Sequence, residues 1–337
     1  MRAVRVHDFD LNSPMRVDEI DTPEPKDEEI LVKVQAVGLN PVDIAIRAAN
    51  HPYAKLVKPP YIPGAEASGE IVKLGHGVSN FSPGQRVYGR AIDGAYCEFV
   101  RLDAKASAVL PSSCSFEQGA SMTVAFYTAW NALVIKAQVR PGEFVLIQGG
   151  AGGVGSAAIQ LAKRLGCVVI TTVSSQEKSE FCKSIGADFT INYKEEDFVS
   201  RSLDITSGKG VNTIVELCAC DNFDKDIDAV CVDGQIIIVG TGTGKGPETE
   251  FRVPAVMTKD VHIHGLAVIN LFPKMPELIR RFSILLEEGS LSLNIDKVFK
   301  FDEANESHEY ILEGKFLGKV ILVPLIILEI FLGTSFS

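Results

Sequence analysis

The glycines of residues 149–155 are spaced for binding a phosphate. Gly150, Gly152 and Gly155 fit the pattern G-x-G-x-x-G. The pattern is informative between a strand and a helix, and the apolar run Glu143–Gln148 and the one-sided apolar periodicity of Val154–Leu165 predict both. The glycines permit a tight turn and close approach of a pyrophosphate to the helix N-terminus, so we expect a bound dinucleotide. A ligand-free glycine turn that packs helix on sheet is the alternative. The predicted phosphate-binding residues are Gly150, Ala151, Gly152, Gly153, Val154 and Gly155.

The second predicted strand, Val168–Val173, lacks the acidic residue that would bind the ribose 2′-hydroxyl of NAD. Ser174 stands at that position, Ser175 follows it, and Lys178 lies in the first turn of the next helix. Hydroxyl and ammonium groups would bind a 2′-phosphate that a carboxylate would repel. The sequence therefore predicts NADPH rather than NADH. A solvated Lys178 is the alternative, and Glu177, the nearest acid, is also a favourable residue at a helix start.

These residues need a doubly wound parallel sheet to position them, and the pattern between residues 122 and 265 fits one. Strands and helices alternate there, with further strands at Phe189–Asn192, Val211–Leu217 and Gln235–Val239 and a second helix at Gln176–Ile185. Gly240 and Thr241 follow the last strand at its carboxyl end, where we expect the nicotinamide half. The first third is rich in Val, Ile, Pro and Gly and predicts a small barrel or sandwich. The fold class is thus α/β.

Composition narrows the function classes. A chain of 337 residues suggests about two domains, and a net charge of −10 disfavours a nucleic-acid partner. Seven scattered cysteines with no CxxC pair predict free thiols in a reducing, cytoplasmic compartment. The N-terminus has no apolar signal-peptide core. The apolar stretch Val320–Leu332 is shorter than the ~20 residues of a membrane span, so we expect no membrane partner, although a weak anchor is an alternative.

Several short motifs together resemble the medium-chain dehydrogenase/reductase superfamily, in its quinone oxidoreductase (zeta-crystallin-like) branch. The resemblance covers about residues 1–323 and rests on Gly38–Asp43, Pro63–Gly69, Gly84–Val87, Gly94–Tyr96, the glycine loop, Gly186–Asp188 and Gly318–Val320. It implies a GroES-like catalytic domain over residues 1–122 that resumes at 266–323. An NADPH-binding Rossmann domain spans 123–265, and residues 324–337 are an apolar tail of unknown role.

The resemblance also implies an enzyme without zinc. Zinc alcohol dehydrogenases of the superfamily have cysteine and histidine ligands where this chain has Asn40 and Ala65, and Glu66 alone cannot hold the metal. His262 and His264 would only share one face of a strand. Without a Lewis acid, the expected acceptor is an activated one, a quinone or the C=C bond of an enone, which needs orientation and hydrogen-bond donors.

By resemblance, the catalytic residues are Asn40, Asp43 and Thr128. Asn40 would donate its amide to the acceptor oxygen, Asp43 would organise the site, and Thr128 would lie beside the nicotinamide. Arg47, Tyr53 and Tyr127 are expected to bind substrate, and Tyr193 to contact the 2′-phosphate. A turn role for Asn40 and packing of Tyr193 on the sheet are the alternatives.

Three functions remain open at this stage: a quinone reductase, an enone or 2-enoyl thioester reductase, and a non-catalytic structural or adaptor protein on the same fold. The resemblance further implies a homodimer whose nucleotide-binding sheets pair at their edges, with Val261–Val268 as the edge strand.

Overall fold

The protein folds around two six-stranded sheets, as seen in a computed structural model that describes residues 1–242 and 246–324. The predicted α/β class is confirmed. The strands are β1 (Arg2–Arg5), β2 (Arg16–Glu19), β3 (Glu29–Gly38), β4 (Glu66–Leu74), β5 (Arg86–Ala91), β6 (Phe99–Val109), β7 (Phe144–Ile147), β8 (Val168–Val173), β9 (Phe189–Asn192), β10 (Val211–Glu216), β11 (Val230–Ile238), β12 (His262–Gly265), β13 (Ile295–Lys300) and β14 (Lys319–Val323).

Helices occupy the segments between the strands, together with short 3-10 or π turns. The α-helices are α1 (Pro41–Arg47), α2 (Phe116–Ala120), α3 (Thr123–Trp130), α4 (Gly153–Arg164), α5 (Gln176–Ser184), α6 (Phe198–Ile205), α7 (Ala219–Ala229), α8 (Val253–Thr258), α9 (Met275–Glu287) and α10 (Ala304–Leu312). The short turns are Pro52–Leu56, Asn131–Lys136, Val268–Lys274 and Phe301–Glu303.

The GroES-like part is a closed antiparallel barrel. Strand β3 pairs with β4 and also with β6, while β5 joins β4 to β6, so the four strands form a ring. The chain returns after the second sheet to add β14 beside β3 and β13 beside β14. This return brings Lys319, at the start of β14, next to the end of β3 and the start of α1.

The second sheet is parallel, with the strand order β12-β11-β10-β7-β8-β9. From β7 the chain adds β8 and β9 on one side of the sheet and then β10, β11 and β12 on the other. The loops after β7 and β10 therefore diverge and open a crevice at the carboxyl edge of the sheet, where doubly wound folds bind ligands. Strand β11 begins at Val230, five residues before the predicted Gln235. Of the added residues, Val230 pairs with Val211, and the register then shifts before Thr213 pairs with Gln235; Asp233, with a positive φ of 60°, lies within this irregular step.

Two predicted segments, the edge strand and the tail, differ from the observed fold or lie partly outside the described residues. Strand β12 is the edge strand of the parallel sheet and is shorter than the predicted Val261–Val268. The predicted tail 324–337 lies outside the described residues beyond Pro324. None of the helices within residues 1–242 and 246–324 is long and apolar enough to cross a membrane.

Candidate active site

A buried ion pair joins the barrel to the returning strand. Oε1 of Glu66, in β4, lies 2.8 Å from Nζ of Lys319, and the two side chains are 0% and 7% exposed. The ammonium group also donates to the carbonyl oxygen of Leu39 at 2.9 Å and to Oδ1 of Asn40 at 2.8 Å. The other carboxylate oxygen of Glu66 accepts the N–H of Val124 at 2.8 Å, in the first turn of α3. The positive charge at this point of the barrel is therefore the ammonium group of Lys319.

Asn40 was predicted to donate its amide to an acceptor oxygen, and the structure does not leave that donor free. Its Nδ2 donates to Oε1 of Glu66 at 2.9 Å and to the Gly38 carbonyl oxygen at 3.2 Å, which uses both amide hydrogens. Asn40 is also the residue before α1, where Pro41 opens the helix and Asp43 accepts the Asn40 N–H at 3.0 Å. Asn40 thus precedes a helix, where the alternative expected a turn, and it also belongs to the Glu66–Lys319 cluster.

A chain of buried side chains leads from Asp43 to the far side of the barrel. Oη of Tyr96 donates to Oδ2 of Asp43 at 3.4 Å, and Nε2 of His308 lies 3.2 Å from Oη of Tyr96. Nδ1 of His308 faces Nη1 of Arg47 at 3.4 Å. Because a guanidinium group only donates, Nδ1 accepts and the ring proton sits on Nε2, directed at Tyr96. All donors in the chain therefore point toward Asp43.

Burial sets the ionisation of this chain. It raises the pKa of Asp43 to about 7, against the opposing effects of the Asn40 N–H and the Lys319 charge. Burial, and then the nearby charge of Arg47, lowers the pKa of His308 to about 3, so the ring stays neutral at physiological pH. Asp43 is consequently a buried group that can hold or release a proton near neutrality.

Arg47 does not point into a cleft. Nη2 of its buried guanidinium donates to the carbonyl oxygens of Leu11 and Ser13 and to Oδ1 of Asn305. These bonds tie α1 to the loop before β2 and to α10. The predicted substrate contact of Arg47 is not favoured by this arrangement, and a role in holding α1 takes its place.

The other predicted substrate contacts differ in exposure. Tyr127 is 1% exposed, and its ring packs on Phe282 of α9 with centroids 5.2 Å apart, so it belongs to the core. Thr128, next along α3, is also buried. Tyr53 is half-buried in the short turn after α1 and stacks edge-on against His51. Its hydroxyl makes no hydrogen bond with the described residues. Compared with the buried Tyr127 and Thr128, Tyr53 therefore has the side-chain hydroxyl that is best placed to bind a ligand.

The glycine loop is shaped by close contacts on one side and open space on the other. A Cβ atom at Gly150 would collide with Oγ1 of Thr171, and one at Gly155 with the carbonyl oxygen of Gly149. At Gly152 the nearest atoms to an added Cβ lie 3.8 Å away. The residue with positive φ is Gly149, at 70°, one position before the predicted turn glycine. The open position, Gly152, lies at the N-terminus of the 12-residue helix α4. The loop thus fits a pyrophosphate.

The return segment 314–319 lies along this loop. The N–H of Gly318 donates to the carbonyl oxygen of Ala151 at 2.7 Å, and Gly318 forms a parallel bridge with Gly152. A Cβ atom at Gly153 would lie 2.8 Å from Cδ of Lys319. The Glu66–Lys319 pair is therefore adjacent to the glycine loop, and the two sheets meet at the candidate cofactor site.

The residues predicted for the 2′-phosphate converge at the carboxyl end of β8. Ser174 follows β8, Ser175 accepts the Lys178 N–H as the N-cap of α5, and the Tyr193 N–H donates to the Val173 carbonyl oxygen at 3.1 Å. Tyr193 is 54% exposed. The alternative, packing of its ring on the sheet, would leave less of the residue exposed. Nζ of Lys178 donates to the Gly314 carbonyl oxygen. These residues lie on one surface beside the glycine loop.

The nicotinamide end of the predicted crevice lies at the loop after β11. Gly240 and Thr241 stand there, and the Ala219 and Cys220 N–H groups bond to their carbonyl oxygens at 3.0 and 3.1 Å. The loop is thereby fixed beside the start of α7. The predicted cofactor contacts of Gly240 and Thr241 stay predictions.

Metal ligands are not grouped in the part of the chain that the structure describes. No three His, Cys, Asp or Glu side chains lie together as a metal site would need. Ala65 offers no donor, and Glu66 is already shared between Lys319, Asn40 and Val124. His262 is bonded to Asp233 at 2.8 Å, on the exposed edge of the parallel sheet.

Comparison with known proteins agrees with this geometry. Residues 26–137 match the alcohol dehydrogenase GroES-like domain family, and residues 153–283 match the family described as zinc-binding dehydrogenase. A quinone oxidoreductase of Homo sapiens is 32% identical over 331 residues, covering 96% of this chain and 98% of the relative. The chain belongs to the medium-chain dehydrogenase/reductase superfamily. It is an oxidoreductase of the quinone oxidoreductase type.

Solved structures extend the likeness to the whole described fold of this oxidoreductase. The quinone oxidoreductase of Coxiella burnetii is 32% identical with a TM-score of 0.83, covering 96% of this chain and 99% of that one. The Escherichia coli quinone oxidoreductase in complex with NADPH is 27% identical with a TM-score of 0.87, covering 96% and 100%.

Sequence reasoning missed four members of the oxidoreductase's candidate site: Glu66, Lys319, Tyr96 and His308. A signal existed for each. Lys319 is a charged residue opening the apolar strand Lys319–Val323, and a buried lysine requires a partner. Glu66, Tyr96 and Lys319 all stood within motifs that carried the resemblance. His308 shares the buried face of α10 with Ala304 and Ile311.

Proposed function

We propose that this oxidoreductase transfers a hydride from NADPH to a quinone or a similarly activated acceptor without zinc. The observation that carries the proposal is the meeting of the glycine loop with the Glu66–Lys319–Asn40 cluster. A glycine loop that fits a phosphate and a polar cluster centred on an ammonium group then face the same site from two sheets. The NADPH complex of the Escherichia coli relative supports the choice of cofactor.

NADPH would supply the hydride, which carries both electrons of the reduction. The chain's own residues bind and orient it. The first N–H groups of α4 have no partners within the helix and would bind the pyrophosphate at Gly152. Ser174, Lys178 and Tyr193 would bind the 2′-phosphate, with the ammonium group neutralising its charge.

The acceptor needs a donor at its oxygen and a proton after hydride arrival. Because the amide of Asn40 is engaged, we assign the first role to the phenol of Tyr53, and Asn40 becomes a positioning residue. Asp43 holds a proton beside the cluster, and a pKa of about 7 allows it to lose and regain that proton near neutrality. Burial of the site favours such transfers by excluding water.

The decisive experiment mixes the protein with NADPH and follows cofactor fluorescence, then adds 1,2-naphthoquinone and follows cofactor absorbance. A fluorescence change and a steady fall in absorbance are the expected results. Absence of any binding would overturn the proposal and leave the structural or adaptor function standing. Binding without turnover of any acceptor would limit the protein to a cofactor-binding role.

The acceptor class requires a panel of quinones, enones and 2-enoyl thioesters, each assayed with NADPH. We expect quinones to give the highest kcat/KM. A higher value with an enoyl thioester would assign the alternative C=C reduction. Preincubation with a zinc chelator is expected to leave turnover unchanged, and one zinc ion per chain in a metal analysis would contradict the zinc-free mechanism.

We also propose that the protein forms a homodimer through β12. Ile263 is 40% exposed on this edge strand, whose backbone groups on one side face away from β11. An unpaired edge strand is a template for pairing with a second copy. Sedimentation of the full chain should give a dimer, and the Ile263→Lys variant a monomer; a monomeric unmodified protein would reject the pairing.

A further inference from the structure

Two fully buried acidic side chains lie beneath the glycine loop. Glu216 ends β10 and Asp226 lies within α7, and both are 0% exposed. The two carboxyl groups lie close enough to interact with each other. Oε2 of Glu216 and Oδ2 of Asp226 are buried and have no hydrogen-bond partner among the described groups. Since two carboxylates cannot donate to each other, this contact requires one proton shared by the pair.

Burial disfavours the charged form of Glu216 more strongly than that of Asp226, which assigns the proton to Glu216. Oδ1 of Asp226 accepts the side-chain amide of Gln148 at 2.9 Å, as a carboxylate would. Burial, and then the charge of Asp226, raises the pKa of Glu216 well above its ordinary value. Glu216 in its acid form donates to Asp226 and still accepts the Cys218 N–H at its other oxygen.

A directed chain of hydrogen bonds runs from this pair to the loop. Because Asp226 accepts from Nε2 of Gln148, the Gln148 amide is oriented with Oε1 toward Thr172. Oγ1 of Thr172 donates to that oxygen at 2.8 Å and accepts the Gly149 N–H at 2.9 Å. Gly149 is the loop residue with positive φ. The acid pair thus fixes the orientation of each group up to the first peptide of the loop.

We propose that Glu216 and Asp226 are positioning residues, whose shared proton holds the glycine loop in the form that binds the dinucleotide. This inference rests on the proposed cofactor function and adds a second layer to it. Removing the proton would place two negative charges in contact within the core. Repulsion would push the two carboxylates apart and would move the oxygen of Asp226 that holds the Gln148 amide.

Among the described residues, no cationic side chain acts on Glu216 to compensate a second charge; the side-chain amide of Asn222 reaches Glu216 but is neutral. The thiol of Cys218 also lies close to both carboxyl groups and adds no positive charge. The charged groups on the neighbouring helices are turned outward. Lys225 of α7 pairs with Asp197, Arg252 before α8 pairs with Asp224 and Asp228, and Arg201 and Asp204 of α6 are exposed.

The test compares NADPH affinity across pH for four proteins: the unmodified enzyme and the variants Glu216→Gln, Thr172→Val and Asp228→Asn. In Glu216→Gln the new amide donates permanently to Asp226. Thr172→Val cuts the chain at the loop with little change of shape, and Asp228→Asn is the control on the exposed face of α7. Lys178 titrates equally in all four, so differences between them report the acid pair.

We expect the affinity of the unmodified enzyme to fall about tenfold from neutral to alkaline pH, with Asp228→Asn following it. Glu216→Gln should keep its neutral-pH affinity throughout, and Thr172→Val should bind about tenfold more weakly at every pH. An equal alkaline fall in Glu216→Gln, or unmodified affinity in Thr172→Val, would overturn the proposal. If Glu216→Gln does not fold, Asp226→Asn removes the same proton and keeps an acceptor for Gln148.

Hydrogen exchange of the Gly149 amide without cofactor separates this inference from the proposed function. Protection should decrease at alkaline pH in the unmodified enzyme beyond the intrinsic pH effect, and remain in Glu216→Gln. That result with no NADPH binding would reject the cofactor function and retain the positioning of the loop. Identical protection in both proteins at every pH would reject the positioning role even if NADPH binds.

Discussion

Glu66 and Lys319 form a buried ion pair at 2.8 Å that links β4 to β14 across 253 positions of sequence. The pair closes the GroES-like domain after the chain has completed the whole nucleotide-binding sheet. It also sets the amide of Asn40, which lies between the two charges. The stability of the fold and the geometry of the candidate site therefore depend on the same contact.

Replacing Lys319 by Met should strongly destabilise the protein. The substitution keeps most of the side-chain volume but leaves the carboxylate of Glu66 buried without its cation, which typically costs about 3–5 kcal/mol. Urea unfolding followed by circular dichroism measures the effect. The exposed Lys315→Met variant in the same segment is the control, and the double variant Glu66→Gln/Lys319→Met should recover part of the loss. A single variant as stable as the unmodified protein would refute this account.

The stability of the protein should depend on pH through Asp43. Burial raises its pKa from 3.8 to about 7, so the folded state favours the neutral acid. The resulting stability is complete below the ordinary pKa and is lost as pH rises through about 7. Relative to Asp43→Asn, the unmodified protein should lose up to about 4 kcal/mol between roughly pH 4 and 7. Denaturant unfolding at several pH values checks this, with the exposed Asp21→Asn as control; parallel curves for Asp43→Asn and the unmodified protein would contradict it.

The sequence predicted the parallel sheet and the glycine loop because both are local patterns. A strand, Gly150–Gly155 and a helix are adjacent in the chain, and their contacts follow from that order. The polar clusters are different, since Glu66, Lys319 and His308 meet only after the barrel closes and the chain returns. Resemblance supplied Asn40 and Asp43, but it could not show that the Asn40 amide is already engaged. Hydrogen-bond partners separated by hundreds of residues have no local signature.

Two glycines of one loop should respond oppositely to alanine substitution. A Cβ atom at Gly150 would collide with Thr171, so Gly150→Ala should destabilise the fold. At Gly152 there is room for a Cβ atom, at 3.8 Å from its nearest neighbours, so Gly152→Ala should keep the thermal midpoint. The same methyl group would occupy the space offered to the pyrophosphate, so NADPH affinity should fall about tenfold or more. A Gly152→Ala protein that binds NADPH normally would move the phosphate site away from this loop.

The phenol of Tyr53 should affect the acceptor and not the cofactor. It lies in the turn after α1 and is our candidate donor to the acceptor oxygen. Tyr53→Phe is expected to reduce kcat/KM for 1,2-naphthoquinone by about tenfold, the value of one hydrogen bond in a partly dry site, with unchanged NADPH affinity. Steady-state kinetics and fluorescence titration check the two halves. Loss of NADPH affinity with normal quinone kinetics would place Tyr53 in the cofactor site instead.

Lys178 should determine the preference for NADPH over NADH. Burial, and then the neighbouring ammonium group of Lys194, lowers the pKa of Lys178, so an added phosphate would relieve the repulsion between the two cations. A charge-assisted hydrogen bond to the 2′-phosphate is worth about 1.5–3 kcal/mol, or about ten- to a hundredfold in affinity. The Lys178→Ala variant should therefore raise KM for NADPH by that factor.

The same variant should leave KM for NADH within about twofold, because NADH has no 2′-phosphate for the ammonium group to bind. Lys183→Ala, at the exposed C-terminal end of the same helix, is the matched control and should change neither constant. Initial rates with both cofactors at a saturating quinone concentration measure the two Michaelis constants of the unmodified enzyme and of each variant. The preference is wrong if the unmodified enzyme uses NADH and NADPH equally. If Lys178→Ala raises both Michaelis constants together, Lys178 acts on the shape of the site through its bond to the Gly314 carbonyl oxygen.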